Sequence, residues 1–316
     1  MSAFVMARAS KRLLVVAGYL LAGALWVALL FPWLKHAARA RIKQCWSAGL
    51  LNALGVKLPD NSAPFPTLPH GLIVANHISF IDIFVINALV PVTFVAKREV
   101  ARWPLIGWLT ARTDNLFIER GHRGAAHLTQ QAMSATLSSG RRLVLFPEGT
   151  TTAGNGVLPF HAALLQSAVT SALPVICVAL GYRDAAGRMT ATPAYIDADT
   201  LWDCIWRIVT RDCVVAQVTV AAQLASAGSD RRQLAQQAHR HISRTVASWY
   251  AAAPRNTDVI WQQSACHWRA EEYDVSKERT GERHAAEPDP IARIARPDPP
   301  SGRGTGNFAF PLEPGT

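Results

Sequence analysis

An uncharged run from Leu13 to Leu34 constrains this chain more than any other feature of its sequence. Its 22 residues would form a helix of about 33 Å, and the hydrocarbon core of a bilayer is about 30 Å thick. Trp33 is placed where an aromatic side chain would meet the membrane interface. The run is longer than the core of a cleavable signal peptide and long for a buried helix of a soluble domain, which are the two other interpretations. We therefore predict an N-terminal membrane helix.

Positive charge is concentrated around this apolar run. Eight of the 32 Lys and Arg residues fall within residues 1–60, which hold a single acid, Asp60. Basic charge beside apolar sequence favours membrane lipids as a partner, and since no nucleic-acid-reading module is recognisable, we expect no nucleic acid. Residues 35–43 are slightly more basic than the other flank, which favours a main domain on the cytoplasmic side of the inner membrane.

The remaining sequence divides into a folded part and a tail. Residues 36–55 show helical spacing, typical of a helix lying in the membrane interface or of one packed on a globular core. We assign residues 1–60 to a membrane anchor and basic interfacial helix and residues 61–254 to the folded domain. Seven of the 19 prolines fall between Pro288 and Pro314, so we predict a mostly disordered tail over residues 255–316. The five cysteines show no CxxC spacing, so we expect neither a disulfide framework nor a metal site.

Short β-rich runs alternate with helical stretches across residues 61–254. This alternation predicts an α/β fold, a mostly buried mixed sheet flanked by helices, because the strands are nearly continuous apolar runs. The predicted strands are Leu72–Ala75, Thr93–Ala96, Leu116–Ile118, Leu143–Phe146, Val175–Ala179 and Val214–Ala221. The predicted helices are Ile81–Leu89, Trp103–Arg112, Gly124–Ser138, His161–Ser171, Leu201–Thr210 and Arg231–Tyr250.

The sequence NHISFID at residues 76–82 holds the strongest candidate for catalysis. His77 follows a predicted strand, where open α/β sheets place their ligand crevices. Asp82 falls near the first turn of the next helix, so its carboxylate can reach back to the imidazole. Such a pair provides a base for a bound hydroxyl group. Ser79 and Asp82 also match a helix capping box, in which the carboxylate only satisfies backbone donors, and the two roles are compatible.

Two further sites follow predicted strands. Arg120 carries a planar guanidinium suited to a phosphate, although a lone arginine is more commonly paired with a surface acid. The turn FPEGT places Glu148 where it could accept hydrogen bonds from a hydroxyl or hold a basic partner. Gly149 permits close approach of the backbone to a ligand. Taken alone, this sequence is also typical of an ordinary surface turn.

In this order, the motifs resemble those of the glycerolipid acyltransferase superfamily, and most closely the 1-acylglycerol-3-phosphate (lysophosphatidic acid) acyltransferases. Asn76, His77 and Asp82 match that family's N-H-x-x-x-x-D, residues 117–120 match F-I-D/E-R, and residues 146–150 match F-P-E-G-T/S. A fourth, V/L-P-V-I-P-like motif is matched only in part at residues 173–177, because a cysteine stands where proline is usual. The resemblance covers about residues 70–250, and four motifs in order are far more specific than one.

Lys97 resembles a further basic element of the family. Two departures concern the acceptor headgroup. Thr151 stands where an arginine often follows the third motif, and a later F-K-x-G element is Phe160 to Ala163 here, so a lysine and a glycine are missing. Neither departure touches His77 or Asp82.

The resemblance implies an O-acyltransferase with the glycerol-3-phosphate acyltransferase-like fold. A fatty acyl group would pass from a thioester, acyl-CoA or acyl-carrier protein, to the hydroxyl of 1-acylglycerol-3-phosphate, giving phosphatidic acid. His77 and Asp82 would be catalytic, and no cofactor would be needed. Lyso-ornithine lipid is an alternative acceptor, and a non-catalytic lipid-binding protein is an alternative function. The residues implied to bind substrate are Lys97, Arg120, Glu148, Gly149 and Thr150.

Overall fold

The computed structural model describes residues 2–59, 65–97, 106–118, 123–196 and 198–251. The predicted tail at residues 255–316 lies outside these residues, and so does the predicted domain boundary between residues 60 and 61. In the described part the helices are α1 (Ala3–Leu29), α2 (His36–Leu54), α3 (Asp82–Leu89), α4 (Ile106–Arg112), α5 (Arg123–Ser138), α6 (Gln166–Ser171), α7 (Leu201–Thr210) and α8 (Arg231–Ala251). The strands there are β1 (Val56–Lys57), β2 (Leu72–Ala75), β3 (Thr93–Lys97), β4 (Leu116–Ile118), β5 (Leu143–Leu145), β6 (Val175–Asp184) and β7 (Val214–Leu224).

The strands form one mixed sheet in the order β1-β7-β6-β2-β5-β3-β4. Five neighbouring strands, from β6 to β4, run parallel, and β7 pairs antiparallel with β6. The carboxyl ends of β2, β3, β4 and β5 therefore meet at one edge of the sheet. The predicted α/β class and mixed sheet are confirmed.

Helices cover the sheet on both faces, which the continuous apolar strands predicted. Alternate residues of β2 show the division: Ile73 packs with α2, α3 and α7, whereas Leu72 and Val74 pack with α5, α6 and α8. Each face thus has its own hydrophobic core. The sheet between them holds the strand ends in fixed positions.

The helix over residues 36–55 packs on the globular core along its buried face. Leu50, Leu51 and Leu54 of α2 are buried in the same core as α3. α1 lies against α2, where the Trp46 indole Nε1 donates to the carbonyl of Tyr19 at 2.9 Å. Gly23 makes this approach possible, because a Cβ there would lie 2.7 Å from the Trp46 ring. α1 is long and apolar enough to cross a membrane, and only 17% of its most apolar window is buried.

Several predicted boundaries were wrong. β6 continues five residues beyond the predicted end, to Asp184, because it pairs with β7 along its whole length. The helix predicted over His161–Ser171 is a 3₁₀ turn at Ala162–Leu165 followed by α6. The two-residue strand β1 was not predicted, since its pairing with β7 carries no local signal. The first residues of the helix predicted from Trp103 lie outside the described part.

Candidate active site

The turn between β2 and α3 carries the candidate catalytic residues and is fixed by its first side chain. The Asn76 carboxamide is fully buried, donates to the carbonyl of Leu180 at 2.9 Å and accepts from that residue's N–H at 2.7 Å. This pair of bonds ties the end of β2 to the middle of β6. The backbone therefore leaves the sheet at a defined point, one residue before His77.

His77 and Asp82 form the predicted pair. The imidazole Nδ1 lies 2.8 Å from Oδ2 of Asp82. The carboxylate is fully buried, whereas 19% of the His77 side chain is exposed. Because a carboxylate can only accept, Nδ1 carries the proton of the neutral imidazole and Nε2 is left with its lone pair. The geometry thus provides a base that a bound hydroxyl can reach.

Asp82 also accepts hydrogen bonds from the backbone of the turn, which is one half of the predicted capping box. Its Oδ2 accepts from the backbone N–H groups of Ile78 at 2.7 Å and Ser79 at 2.9 Å. The carboxylate thus satisfies backbone donors as predicted, but the other half of the box was wrong, because α3 begins at Asp82 and no side chain caps its first turn. The same bonds that hold the turn also hold the carboxylate in place beneath the imidazole.

Tyr182 is a site residue that sequence reasoning missed. Its hydroxyl lies 2.5 Å from Oδ1 of Asp82, the oxygen that the imidazole does not contact. The side chain is 1% exposed, and burial raises the pKa of Tyr182 well above its ordinary value, so the hydroxyl keeps its proton and donates. The underestimated length of β6 concealed it, because the predicted strand stopped three residues earlier at Ala179. Continuing the strand's alternation would have placed Tyr182 in the core.

The ring of Phe146 forms one wall of the site. It stacks on the His77 imidazole with ring centres 3.9 Å apart and an angle of 13° between the planes. Phe94 lies parallel behind it, at 6.4 Å between centres. Stacking on Phe146 restricts rotation of the imidazole ring more than its hydrogen bond to Asp82 would do alone.

Glu148 contacts the catalytic turn through the backbone. Its Oε1 accepts from the N–H of His77 and its Oε2 from the N–H of Leu158, both at 2.7 Å. The side chain is 5% exposed, and burial raises its pKa to about 7 despite these two hydrogen bonds. Both carboxylate oxygens of Glu148 thus accept hydrogen bonds from the backbone. The contact of Glu148 with substrate stays a prediction.

The residues after Glu148 line the same turn. Gly149 has φ of 71°, a conformation that favours glycine, and Thr150 is exposed. Thr152 donates its backbone N–H to the carbonyl of His77 at 2.9 Å. The turn after β5 therefore holds both the backbone N–H and the C=O of His77, a role that sequence reasoning did not assign to Thr152.

The predicted phosphate-binding residues lie at the next strands. Lys97 is the last residue of β3 and is paired in register with Ile118 of β4. It lies at the carboxyl edge of the sheet, where His77 follows the end of β2. Arg120 lies outside the described residues. Binding of phosphate by either residue stays a prediction. Within the described part of the chain, no group of three or more His, Cys, Asp or Glu side chains is arranged to hold a metal ion.

A histidine paired with a buried carboxylate at the carboxyl edge of parallel strands is an arrangement typical of enzymes that transfer groups to hydroxyls by general base catalysis. A family model described as Acyltransferase matches residues 60–181. The 1-acyl-sn-glycerol-3-phosphate acyltransferase of Neisseria meningitidis serogroup B is 38% identical over 201 residues, which are 63% of this chain and 78% of that protein. The chain therefore belongs to the glycerolipid acyltransferase family, and the predicted O-acyltransferase class is confirmed.

Other relatives differ in their acceptor. The lyso-ornithine lipid O-acyltransferase of Pseudomonas aeruginosa is 37% identical over 219 residues, 69% of this chain and 83% of that protein. The crystal structure of the 1-acyl-sn-glycerophosphate (LPA) acyltransferase PlsC from Thermotoga maritima has a TM-score of 0.56 at 20% identity. It covers 78% of this chain and 100% of its own, and it confirms the fold.

Proposed function

We propose that this acyltransferase moves a fatty acyl group from a thioester to the free hydroxyl of 1-acylglycerol-3-phosphate and so forms phosphatidic acid. The observation that carries this proposal is the 2.8 Å contact between Nδ1 of His77 and the buried Asp82. Nε2 has no hydrogen-bond partner among the residues that the structure describes, so its lone pair can accept a proton. The relatives named 1-acyl-sn-glycerol-3-phosphate acyltransferases support this acceptor.

The reaction needs one proton to move twice. Nε2 of His77 takes the proton of the acceptor hydroxyl as its oxygen attacks the thioester carbonyl carbon. The tetrahedral intermediate collapses with loss of the thiolate, which receives that proton from the imidazolium. Asp82 lies beside the imidazolium while it exists and stabilises its positive charge. A C–O bond has replaced a C–S bond, and the enzyme is unchanged.

Two basic residues and a turn are proposed to hold the acceptor. Lys97 and Arg120 would bind its phosphate, because a guanidinium matches phosphate geometry and an ammonium adds charge. Gly149 and Thr150 would add backbone and hydroxyl contacts. Lyso-ornithine lipid, which has no phosphate, is a second candidate acceptor because several relatives are lyso-ornithine lipid O-acyltransferases.

The exposed face of α1 is proposed to enter the membrane. Leu14 is 76% exposed, Leu21 64% and Leu29 65%, and they continue to Trp33 at the tip of the α1–α2 hairpin, which is 87% exposed. Burial of such apolar surface in lipid is favourable, at about 25 cal/mol per Å². The lysolipid acceptor and the product also partition into bilayers. We place the protein on the inner membrane with the α/β domain in the cytoplasm.

An assay with a panel of lysolipids tests the function. Membranes that contain the protein are given labelled acyl-CoA or acyl-carrier protein and, separately, lysophosphatidic acid, lyso-ornithine lipid or no acceptor. We expect label in phosphatidic acid, and we expect His77→Ala to lower the rate at least 10²-fold because general base catalysis is lost. Equal incorporation by His77→Ala would contradict the mechanism. Label only in ornithine lipid would select the second acceptor, and free fatty acid without acceptor would indicate a thioesterase.

A further inference from the structure

Residues 190–196, the bridging loop, lie between β6 and α7 and contact the site at two points. At the start of the loop, the N–H of Thr190 donates to the carbonyl of Tyr182 at 2.8 Å. Five residues later, the N–H of Tyr195 donates to the carbonyl of Ile78 at 2.9 Å. The bridging loop therefore connects the tyrosine that binds Asp82 with the residue that follows His77.

The bridging loop also contacts the turn after β5. Thr151, which stands where an arginine often follows the family's third motif, donates its hydroxyl to the carbonyl of Tyr195. The next residue, Thr152, donates its N–H to the carbonyl of His77. The N–H and C=O of Tyr195 are thus bonded to the two turns that determine where His77 lies.

The guanidinium group of Arg207 holds the bridging loop to α7. It donates through Nε to the carbonyl of Thr192 at 3.3 Å and through Nη2 to the carbonyl of Ala194 at 2.5 Å. The carboxylate of Asp199 accepts from Nη1 at 2.8 Å and from Nη2 at 2.7 Å. Hydrogen bonds from Arg207 keep the pKa of the Asp199 carboxyl below its ordinary value, so both groups stay charged.

These contacts distinguish Arg207 from an ordinary surface ion pair, which contributes little to stability. Backbone carbonyls in a loop have no partner in a helix or sheet, and those of Thr192 and Ala194 obtain one from Arg207. A planar group with five donors can bind two carbonyls and a carboxylate at once, whereas a lysine ammonium cannot match this geometry. α7 also contacts the loop one turn earlier, where Sγ of Cys204 lies 3.1 Å from the carbonyl of Pro193.

We propose that Arg207 is a positioning residue for acyl transfer, which holds the bridging loop against Ile78 and so fixes His77 relative to the acceptor hydroxyl. The inference rests on the proposed function, because it requires His77 as the base. A displacement of about 1 Å at a catalytic group can lower a rate by about 10²-fold. Loss of one among several restraints on the turn should cost less than this.

Arg207→Gln removes the charge and the planar donor group and keeps a residue of high helix propensity. We expect kcat for transfer to lysophosphatidic acid to fall about tenfold, with KM for donor and acceptor unchanged, because Arg207 acts through the turn. Arg207→Lys should recover only part of the loss. A lower melting temperature with normal kcat would overturn the proposal and leave Arg207 a structural role. A higher KM at unchanged kcat would also overturn it and indicate that Arg207 binds substrate.

Chemical rescue separates positioning from loss of folding. The side chain of Arg207 is 36% exposed and borders an open cavity of about 480 Å³, so a small cation can replace it. The other residues that line this cavity are Ala191, Ala194, Ile196, Ala198 and Asp199. Ethylguanidinium should raise kcat of Arg207→Ala several-fold and saturably, whereas neutral N-ethylurea should not, because only the cation can pair with Asp199. The same response to both additives would overturn the proposal.

A matched control removes an arginine from an ion pair outside the bridging loop. Arg188 pairs with Asp184 at 2.9 Å in the exposed turn after β6, and Arg188→Gln makes the same change of charge as Arg207→Gln. This control should keep the wild-type kcat and KM, and an equal loss in both variants would overturn the proposal. Wild-type protein that acylates no lysolipid, or full activity of His77→Ala, would instead contradict the proposed function itself.

Discussion

At the scale of single residues, the carboxylate of Asp82 receives four hydrogen bonds. Two come from the backbone of the turn, one from the His77 imidazole and one from Tyr182. A buried carboxylate needs such partners, because an unpaired charge in the interior is costly. Four partners fix the position of the Asp82 carboxylate beneath the imidazole.

Tyr182 is a positioning residue for this carboxylate, and Tyr182→Phe tests it. Without the phenol, Oδ1 of Asp82 loses its buried hydrogen-bond donor, so the carboxylate is held less firmly beneath the imidazole. We expect kcat to fall about tenfold with KM unchanged and with a nearly unchanged melting temperature. Steady-state kinetics and thermal unfolding measure these effects. A lower melting temperature with normal kcat would show that Tyr182 only supports packing.

Glu148→Gln tests the bracing of the turn. The ordinary pKa of 4.5 rises to about 7 in the folded protein, so the folded state binds more protons than the unfolded state between these values. This contribution to the free energy of unfolding is fully present below about pH 4.5 and is lost as pH rises through about 7. Glu148→Gln should lose that pH dependence, because the amide stays neutral at every pH. The free energy of unfolding of the wild type should therefore fall between pH 5 and 8.5 relative to that of the variant. Urea unfolding in detergent at these two pH values measures the difference, and parallel pH dependence in the two proteins would contradict the assignment.

At the scale of secondary-structure elements, α1 is attached to the C-terminal end of α7. Arg12 donates to the carbonyls of Val209, Arg211 and Asp212 at 3.0, 2.5 and 2.9 Å. These carbonyls lie at or just after the last turn of α7 and have no partner within the helix, so a cation there is favourable. α7 in turn contacts the catalytic turn, where Sγ of Cys204 lies 3.8 Å from Oγ of Ser79.

Arg12→Met should loosen α1 without unfolding the α/β domain. Each hydrogen bond from a charged donor contributes about 1.5–3 kcal/mol at most, so we expect local opening of α1 to become about tenfold more frequent or more. Amide hydrogen exchange of residues 3–29 measures it, with the exposed Lys11→Met as control. Faster exchange throughout the domain, or no change in α1, would contradict the attachment.

The elements predicted correctly are those with a local signal. α7 and the strands Leu72–Ala75 and Leu116–Ile118 have the predicted bounds, since caps and apolar runs mark both ends. β1 and the extra length of β6 arise from pairing with β7, which is distant in sequence and carries no local pattern. The same reason explains the site: His77 and Asp82 are five residues apart and could be predicted together, whereas Tyr182 is 100 residues from Asp82.

At the scale of the whole molecule, the sheet separates two layers of helices, each with its own hydrophobic core. The exposed apolar residues of α1 lie on one face, and α8 lies on the other. The turn that carries His77 and Asp82 lies at the carboxyl edge of the sheet between them.

Asp82→Asn tests most directly whether the pair of His77 and Asp82 performs acyl transfer. The amide oxygen can still accept from the turn, but the negative charge beside the imidazolium is lost. Transfer from acyl thioester to lysophosphatidic acid is measured together with thermal unfolding, and Ser79→Ala serves as a control within the same turn. We predict a fall in kcat of about 10²-fold or more at nearly unchanged melting temperature. Near-normal turnover by Asp82→Asn would contradict the dyad and leave Asp82 as a helix cap alone.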